Sequence, residues 1–165
     1  DEAIQVKSLS ENIEILMKVA DAMAFSHSRG IIHRDLKPEN VVVGSDGYPA
    51  LIDFGTAVVI TDRTYTHTGT PHYMAPELLA GNGYNCQVDF WSLGVMMFEA
   101  VFNKLPFGAL ERDVYQVYKA TLKHELILPT DPPVNEQVLQ ILTLLLSTDP
   151  SQRKGCRVEV FMHHP

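Results

Sequence analysis

Residues His33–Asn40 read HRDLKPEN, and this stretch decides the fold. It holds two acidic groups, two cations, an amide and a proline, between a helical pattern and a run of three valines. Such charge between apolar segments is costly unless a ligand or a reaction uses it. Pro38 lacks an N–H group and fixes φ, which predicts a rigid loop. Because a second short motif, Asp53-Phe54-Gly55, follows soon after, we expect one site built from both stretches.

A β-hairpin is predicted to connect the two motifs. Val41–Val43 is β-branched, residues 44–47 read Gly-Ser-Asp-Gly, and Pro49–Ile52 is a second apolar run. Two such runs around an Asp-Gly turn are typical of a hairpin. Asn40 would then lie at its entry and Asp53 at its exit, so that two oxygen donors distant in sequence lie side by side.

Helical patterns flank this hairpin. Ser8 and Glu11 have the spacing of a capping box, and apolar residues follow at helical spacing. Val88–Val101 is apolar almost throughout, which predicts a central buried helix. Two more amphipathic segments follow, at about 112–122 and 134–146. The pattern predicts a mainly α (α+β) domain.

A long segment after Gly55 shows no sustained periodicity. Residues 56–72 are rich in threonine and other polar residues, which predicts an exposed loop. A loop of this length inside a domain is usually functional. Ala75–Glu77 begins a short helix after it, because proline is favoured in a first helical turn.

Composition excludes several function classes. The formal charge of −7, the pI near 5.4 and the lack of any basic run argue against a nucleic-acid partner. Cys86 and Cys156 have no metal-binding spacing, and no stretch has the length or apolar continuity of a membrane span. We therefore expect a cytoplasmic protein, with the nucleus as an alternative.

Four motifs in order, HRDLKPEN, DFG, GTPHYMAPE and DFWSLG, resemble the C-terminal lobe of a eukaryotic protein kinase. The resemblance runs from about residue 8 to the end of the chain. It implies a helical lobe around the Val88–Val101 helix, with the hairpin at the active site. It also implies ATP and Mg²⁺ as cofactors and proteins as substrates.

The resemblance assigns the chemistry to four residues of the two motifs. Phosphoryl transfer needs positioning and charge neutralisation. Asp35 would accept the proton of the substrate hydroxyl, and Lys37 would hold the transferred phosphate. Asn40 and Asp53 would be the oxygen ligands of Mg²⁺, which takes few protein ligands beside phosphates and water.

Further residues are expected to bind the nucleotide or the substrate. Val42 and Ile52 would form the floor under the adenine ring. Glu39 would contact the ribose or a basic substrate side chain. By resemblance Glu39 and Glu99 match positions that read arginines before the target residue.

Five residues are expected to hold the shape of the lobe. His33 would stack on Phe54, and Asp89 would anchor the backbone of the catalytic loop from the buried helix. Glu77 and Arg153 match a pair that ties the segment after DFG to the lobe. If these two meet, the ion pair is buried, and removal of either partner should be severely destabilising.

Lys37, together with Thr70 in Gly-Thr-Pro, resembles serine/threonine kinases. Residues 63–70 are similar to cyclic-nucleotide-dependent, AGC-like kinases. By position Thr66 is the activation phosphosite, for an upstream kinase or for autophosphorylation. Phosphate there would order the loop beside Arg34. The chain departs from these relatives at three positions, which leaves the strength of phosphate control and the substrate subsites open: Val58, His67 and His72.

The chain has no G-x-G-x-x-G ahead of the catalytic loop and no strand lysine with a partner helix glutamate. We therefore expect residues 1–165 to be a partial domain, the C-terminal lobe alone. An N-terminal lobe should precede residue 1, and this chain by itself should have little or no activity. The alternative is a non-catalytic kinase-like module that binds a peptide or a partner kinase. The presence of Asp35, Lys37, Asn40 and Asp53 together favours catalysis.

Overall fold

A computed structural model describes residues 9–153, and Ser8 and Cys156 lie outside that range. Helices dominate it, which confirms the predicted fold class. The α-helices of the described range are α1 (Leu9–His27), α2 (Pro76–Leu79), α3 (Gln87–Phe102), α4 (Val114–Lys123), α5 (Glu136–Leu145) and α6 (Pro150–Arg153). No helix within this range is both long enough and apolar enough to cross a membrane.

Within residues 9–153, four short strands form two antiparallel pairs. Strand β1 (Ile31–Ile32) pairs with β4 (Val58–Val59), and β2 (Val41–Val43) pairs with β3 (Pro49–Leu51). The second pair is the predicted hairpin, with Val41 opposite Leu51. Its turn contains Gly47 at φ 78°, a left-handed conformation that glycine adopts without strain.

Helix α3 forms the centre of the core, as its apolar sequence predicts. Trp91, Leu93 and Val95 are all buried, and α3 packs against α1, α5 and α6. Burial of each such side chain stabilises the fold by roughly 1.5–3 kcal/mol. A side chain at Gly94 would meet Leu145 at 2.7 Å, so this glycine allows the end of α5 to lie against α3.

The two predicted amphipathic segments begin slightly later than expected. Asp113 caps α4 by accepting from the Tyr115 amide at 3.2 Å, and Asn135 caps α5 by accepting from the Gln137 amide at 2.8 Å. A short polar side chain at this position satisfies a helix amide that has no partner inside the helix. The caps therefore fix both helix starts two residues inside the predicted segments.

No residue of the segment 56–72 is buried and most of it is irregular, as predicted for a loop, but two short pairings that the sequence did not predict tie it to the lobe. Val58–Val59 forms strand β4, and Thr64 pairs with Tyr84 in an isolated antiparallel bridge. A 3-10 turn at Pro71–Tyr73 ends the segment. A strand of two residues is too short to produce a period in the sequence, so periodicity could not reveal these pairings.

Candidate active site

One buried carboxylate holds the backbone of the loop that follows β1. Asp89, in the first turn of α3, is 0% exposed and accepts from the amides of His33 at 3.0 Å and Arg34 at 2.9 Å. His27 Nε2 lies 2.7 Å from the same carboxylate. These contacts satisfy a group that would otherwise be costly to bury. They also hold Arg34 at φ 70°, which is uncommon for a residue with a side chain.

Four side chains meet above this loop. Asp35 Oδ1 accepts from the Thr70 amide at 2.8 Å and from the Thr70 hydroxyl at 2.6 Å. Lys37 Nζ lies 3.1 Å from Asp35 Oδ2 and donates to Thr70 Oγ1 at 2.8 Å. Asn40 Nδ2 donates to the Asp35 carbonyl at 2.8 Å. An acid, a cation, a hydroxyl and an amide thus share one hydrogen-bonded cluster, which we call the Asp35 cluster.

The Asp35 cluster keeps its carboxylate ionised. Burial alone raises the pKa of Asp35, but the hydrogen bonds from Thr70 and Lys37 and the charge of Lys37 outweigh burial. The net pKa lies below the ordinary value of 3.8. Asp35 is therefore a negatively charged hydrogen-bond acceptor at neutral pH, next to a fixed cation.

Asp53 lies at the exit of the hairpin in an unusual conformation. Its backbone is left-handed, at φ 58° and ψ 69°, and its Oδ1 accepts from the Gly55 amide at 3.2 Å. The Ile52 amide donates to the Asn40 carbonyl at 2.9 Å, so the residue before Asp53 pairs with Asn40. A left-handed non-glycine residue costs free energy of order 1–3 kcal/mol and persists only where its surroundings impose it.

The two ends of the hairpin offer oxygen donors, the ligand type that Mg²⁺ takes. Among residues 9–153 no group of three or more His, Cys, Asp or Glu side chains could hold a metal ion. Asn40 and Asp53 instead offer two oxygen donors. Mg²⁺ takes oxygen ligands, keeps several waters and usually binds through few protein groups plus phosphate oxygens.

Apolar side chains beside the hairpin face outward. Val42 is 42% exposed and Ile52 is 40% exposed, although both belong to an apolar run. Phe54 is also exposed, and its ring makes an edge contact with His33 at 4.8 Å between centroids. His33 Nε2 in turn contacts the Ile52 carbonyl at 3.0 Å. These contacts link the loop of Asp35 to the residues on both sides of Asp53.

Tyr73, three residues after Thr70, contacts an acidic side chain. Tyr73 donates its hydroxyl to Glu99 Oε2 at 2.7 Å. Burial first, then this hydrogen bond and the charges of Glu99 and Glu39, raise the pKa of Tyr73. The charges of Glu39 and Glu99 thus both act on the Tyr73 phenol.

A buried ion pair closes the far end of the segment. Arg153 is 0% exposed and donates through Nη1 and Nη2 to the two carboxylate oxygens of Glu77, each at 2.8 Å. It also donates to the carbonyls of Gln87 and Ser147, both at 2.9 Å. Its guanidinium lies over the Trp91 ring at 5.2 Å from the centroid. The pair joins α2 to the end of the described chain.

Arg34 and Thr66 are connected through a third residue. Arg34 Nε donates to the Thr56 carbonyl at 2.6 Å, and Arg34 Nη1 donates to the Tyr84 hydroxyl at 3.4 Å. That hydroxyl donates to the Thr66 carbonyl at 2.5 Å. The Thr66 side chain itself is exposed.

Comparison with known proteins decides the family. The protein kinase domain family matches residues 3–165 of the chain. The chain belongs to the protein kinase domain family. This confirms the family predicted from the motifs. In the fold, HRDLKPEN and DFG lie at the two ends of one hairpin.

Curated relatives of the kinase domain are named as protein kinases. A cGMP-dependent protein kinase of Plasmodium berghei (strain Anka) is 41% identical over 140 residues, which is 85% of this chain and 16% of the relative. A cAMP-dependent protein kinase, catalytic subunit-like, of Caenorhabditis elegans is 40% identical over 139 residues, 84% of this chain and 34% of that protein. The serine/threonine protein kinase ypkA of Aspergillus fumigatus is 39% identical over 148 residues, 87% of this chain and 23% of that protein. The chain thus spans about a third or less of the length of these relatives.

Several residues of the kinase domain that shape the site were missed by sequence reasoning. Thr56 Oγ1 donates to the His33 carbonyl at 2.9 Å, and the Thr56 carbonyl accepts from Arg34 Nε. His27, Tyr73 and Tyr84 were missed as well. Each makes its contact across the fold, and nothing in local spacing could have shown it.

Proposed function

We propose that this chain is the C-terminal lobe of a serine/threonine protein kinase that transfers the γ-phosphate of ATP to protein substrates. The Asp35 cluster carries the proposal. A carboxylate with a lowered pKa, a lysine 3.1 Å away and a threonine hydroxyl at 2.6 Å form a compact polar group. Such a cluster suits the binding of a hydroxyl substrate next to a phosphate.

Each residue of the Asp35 cluster has a role in this proposal. Thr70 donates twice to Asp35 Oδ1, whereas Oδ2 contacts Lys37 at 3.1 Å and accepts from Asn40 Nδ2 at 3.3 Å. The substrate hydroxyl would donate to Asp35 Oδ2 beside these two groups. Because the lowered pKa makes Asp35 a weak base, orientation of that hydroxyl is its larger contribution. Lys37 places a positive charge beside the transferred phosphate, and Asn40 holds the backbone of Asp35.

The hairpin would hold the nucleotide. Asn40 and Asp53 are the proposed ligands of Mg²⁺, which neutralises phosphate charge when it is bound. Lys37 and Glu39 would contact the phosphate and ribose ends of ATP. Exposed Val42 and Ile52 would lie under the adenine ring, where their apolar surface is covered by the base.

Substrate preference is proposed from the acidic side chains. The charges of Glu39 and Glu99 both act on Tyr73, and two carboxylates near one another would attract arginines that precede the target serine or threonine. Tyr73 fixes the Glu99 carboxylate by its hydrogen bond. Thr70 contacts both Asp35 and Lys37 and would contribute to substrate binding beside them.

The proposal extends to the regulation and the location of the protein. Thr66 is exposed, and the Tyr84 hydroxyl connects its carbonyl to the Arg34 guanidinium. Phosphorylation of Thr66, by an upstream kinase or by the protein itself, would add a negative charge next to that guanidinium. We propose the cytoplasm as the location, with the nucleus as the alternative, because the cysteine usage is typical of a reducing compartment.

We further propose that residues 1–165 alone transfer phosphate poorly. Val42 and Ile52 are exposed and would contact an adenine ring from one side only. The sequence also has no glycine-rich loop ahead of Asp35 to cover the phosphates.

The test compares residues 1–165 alone with the same residues fused behind the N-terminal lobe of a cAMP-dependent kinase. Radiolabelled ATP and a serine peptide with two preceding arginines are the substrates. We expect transfer by the fusion, loss of transfer in Asp35→Asn, and a lower kcat/KM when alanines replace the two arginines. A fusion that shows a magnesium-dependent melting shift with ATP but no more transfer than Asp35→Asn would establish the alternative, a non-catalytic binding module. Robust transfer by residues 1–165 alone would refute the proposed inactivity.

A further inference from the structure

Tyr84 is a buried residue that contacts two functional segments at once. It is 3% exposed and follows the turn after α2. Its amide donates to the Thr64 carbonyl, and its carbonyl accepts from the Thr64 amide, both at 2.9 Å. Its hydroxyl donates to the Thr66 carbonyl and accepts from Arg34 Nη1. Main chain and side chain of one residue thus hold both the segment around Thr66 and the catalytic-loop arginine.

The residue before Tyr84 strengthens the same contact. Gly83 has φ +69°, and a side chain there would lie 2.6 Å from the Tyr65 ring, so that ring rests on the bare backbone. Arg63 Nη1 donates to the Gly83 carbonyl at 3.3 Å. Residues 63–66 are therefore attached to residues 83–84 at four successive positions.

The chemistry of the phenol suits this position. A tyrosine hydroxyl is one donor and also an acceptor, so it can bond a carbonyl and a cation at the same time. Arg34 is held from its other side by the Thr56 carbonyl, so its guanidinium is fixed between two oxygen atoms. Because Tyr84 is buried, water competes poorly for these bonds.

We propose that Tyr84 is a positioning residue that keeps residues 63–66 docked against Arg34 when Thr66 carries no phosphate. Tyr84 acts through Arg34 and through the segment, and it contacts neither ATP nor the phosphorylated residue of a substrate. Only its effect on phosphoryl transfer rests on the proposed kinase function. The docking of the segment follows from the contacts themselves.

Limited proteolysis tests the docking without any assay of activity. Trypsin cleaves after Arg63, within the docked segment, and mass spectrometry follows the fragment 1–63. In Tyr84→Phe, which keeps the ring and removes the hydroxyl, we expect cleavage to be about tenfold faster, a factor that corresponds to about 1.36 kcal/mol. Tyr65→Phe is the matched control, because it removes an exposed hydroxyl from the same segment, and its cleavage rate should equal that of the wild type. Equal rates for all three proteins would overturn the proposal.

Hydrogen exchange distinguishes local release of the segment from a general loss of structure in Tyr84→Phe. The proposal requires lost protection at residues 64–68 with unchanged protection in α3. Equal loss in both regions, or no loss in either, would overturn it.

Kinetics of the fusion protein test the consequence for transfer. In a Thr66→Ala background, Tyr84→Phe should lower kcat about tenfold with an unchanged KM for ATP. In protein phosphorylated on Thr66, Tyr84→Phe should have the same kcat as the protein that keeps Tyr84. An equal effect of Tyr84→Phe in both backgrounds would refute a role that depends on the missing phosphate. If no fusion transfers phosphate, the proposed function fails, while proteolysis still decides the docking.

Discussion

Replacement of Arg153 by methionine should be among the most damaging single changes in the described lobe. The change removes two hydrogen bonds to Glu77 and those to the Gln87 and Ser147 carbonyls. It leaves a carboxylate that is 10% exposed without its cation. Breaking a buried ion pair on one side costs about 3–5 kcal/mol. For a domain of this size that corresponds to a fall in Tm of roughly 6–20 °C.

Urea unfolding, followed by Trp91 fluorescence and by circular dichroism, measures the free energy of unfolding. The chain has one tryptophan, so the fluorescence reports on the core of α3. Lys18→Met provides the control, because the pair Lys18–Glu14 is exposed and its loss should hardly move the urea midpoint.

A double-mutant cycle separates the ion pair from general packing. Glu77→Leu alone should also be strongly destabilising, because it leaves a buried guanidinium. The double variant Glu77→Leu/Arg153→Met should lose less unfolding free energy than the sum of the two single losses, since no unpaired charge is then buried. Additive effects, or a change below about 1 kcal/mol in Arg153→Met, would refute this account of the pair.

Three further predictions concern the site. Because the folded pKa of Asp35 lies below 3.8, its stabilising contribution is complete above that pH and is lost as the pH falls through the folded value. The difference in urea midpoint between wild type and Asp35→Asn should accordingly be constant above about pH 5 and shrink toward pH 3, and a constant difference would contradict the lowered pKa. Asp53→Ala should abolish the magnesium-dependent melting shift that ATP gives in the fusion protein, with Asp46→Ala in the hairpin turn as control. Gly69→Ala should cost roughly 1–3 kcal/mol in urea unfolding and lower kcat, because φ is +126° and a Cβ would lie 2.8 Å from the Arg34 carbonyl; an unchanged midpoint would show that the segment can shift.

Elements with a strong local signal could be predicted from the sequence. The Val88–Val101 helix differs from the observed Gln87–Phe102 by one residue at each end, because an almost unbroken apolar run can only be buried. The hairpin was equally clear, since two short apolar runs enclose an Asp-Gly turn. The residues of the Asp35 cluster were all named, because they lie in dense motifs.

Contacts between distant residues were beyond local patterns. Ile31–Ile32 and Val58–Val59 pair across the whole hairpin, and neither strand is long enough to show alternation. The left-handed backbone of Asp53 has no signature in its residue type. Tyr84 reads as one aromatic residue in a turn, and only the folded chain shows its hydroxyl between Arg34 and Thr66.

The carboxylate of Asp89 has a mechanical consequence. It ties the last residue of α1 and two amides of the catalytic loop to the first turn of α3. The loop that holds Asp35 is thus anchored to the most deeply packed helix, and it can open only if that anchorage breaks. Local fluctuations of a lobe usually arise in weakly packed segments. Here the residues of the Asp35 cluster share the rigidity of the core.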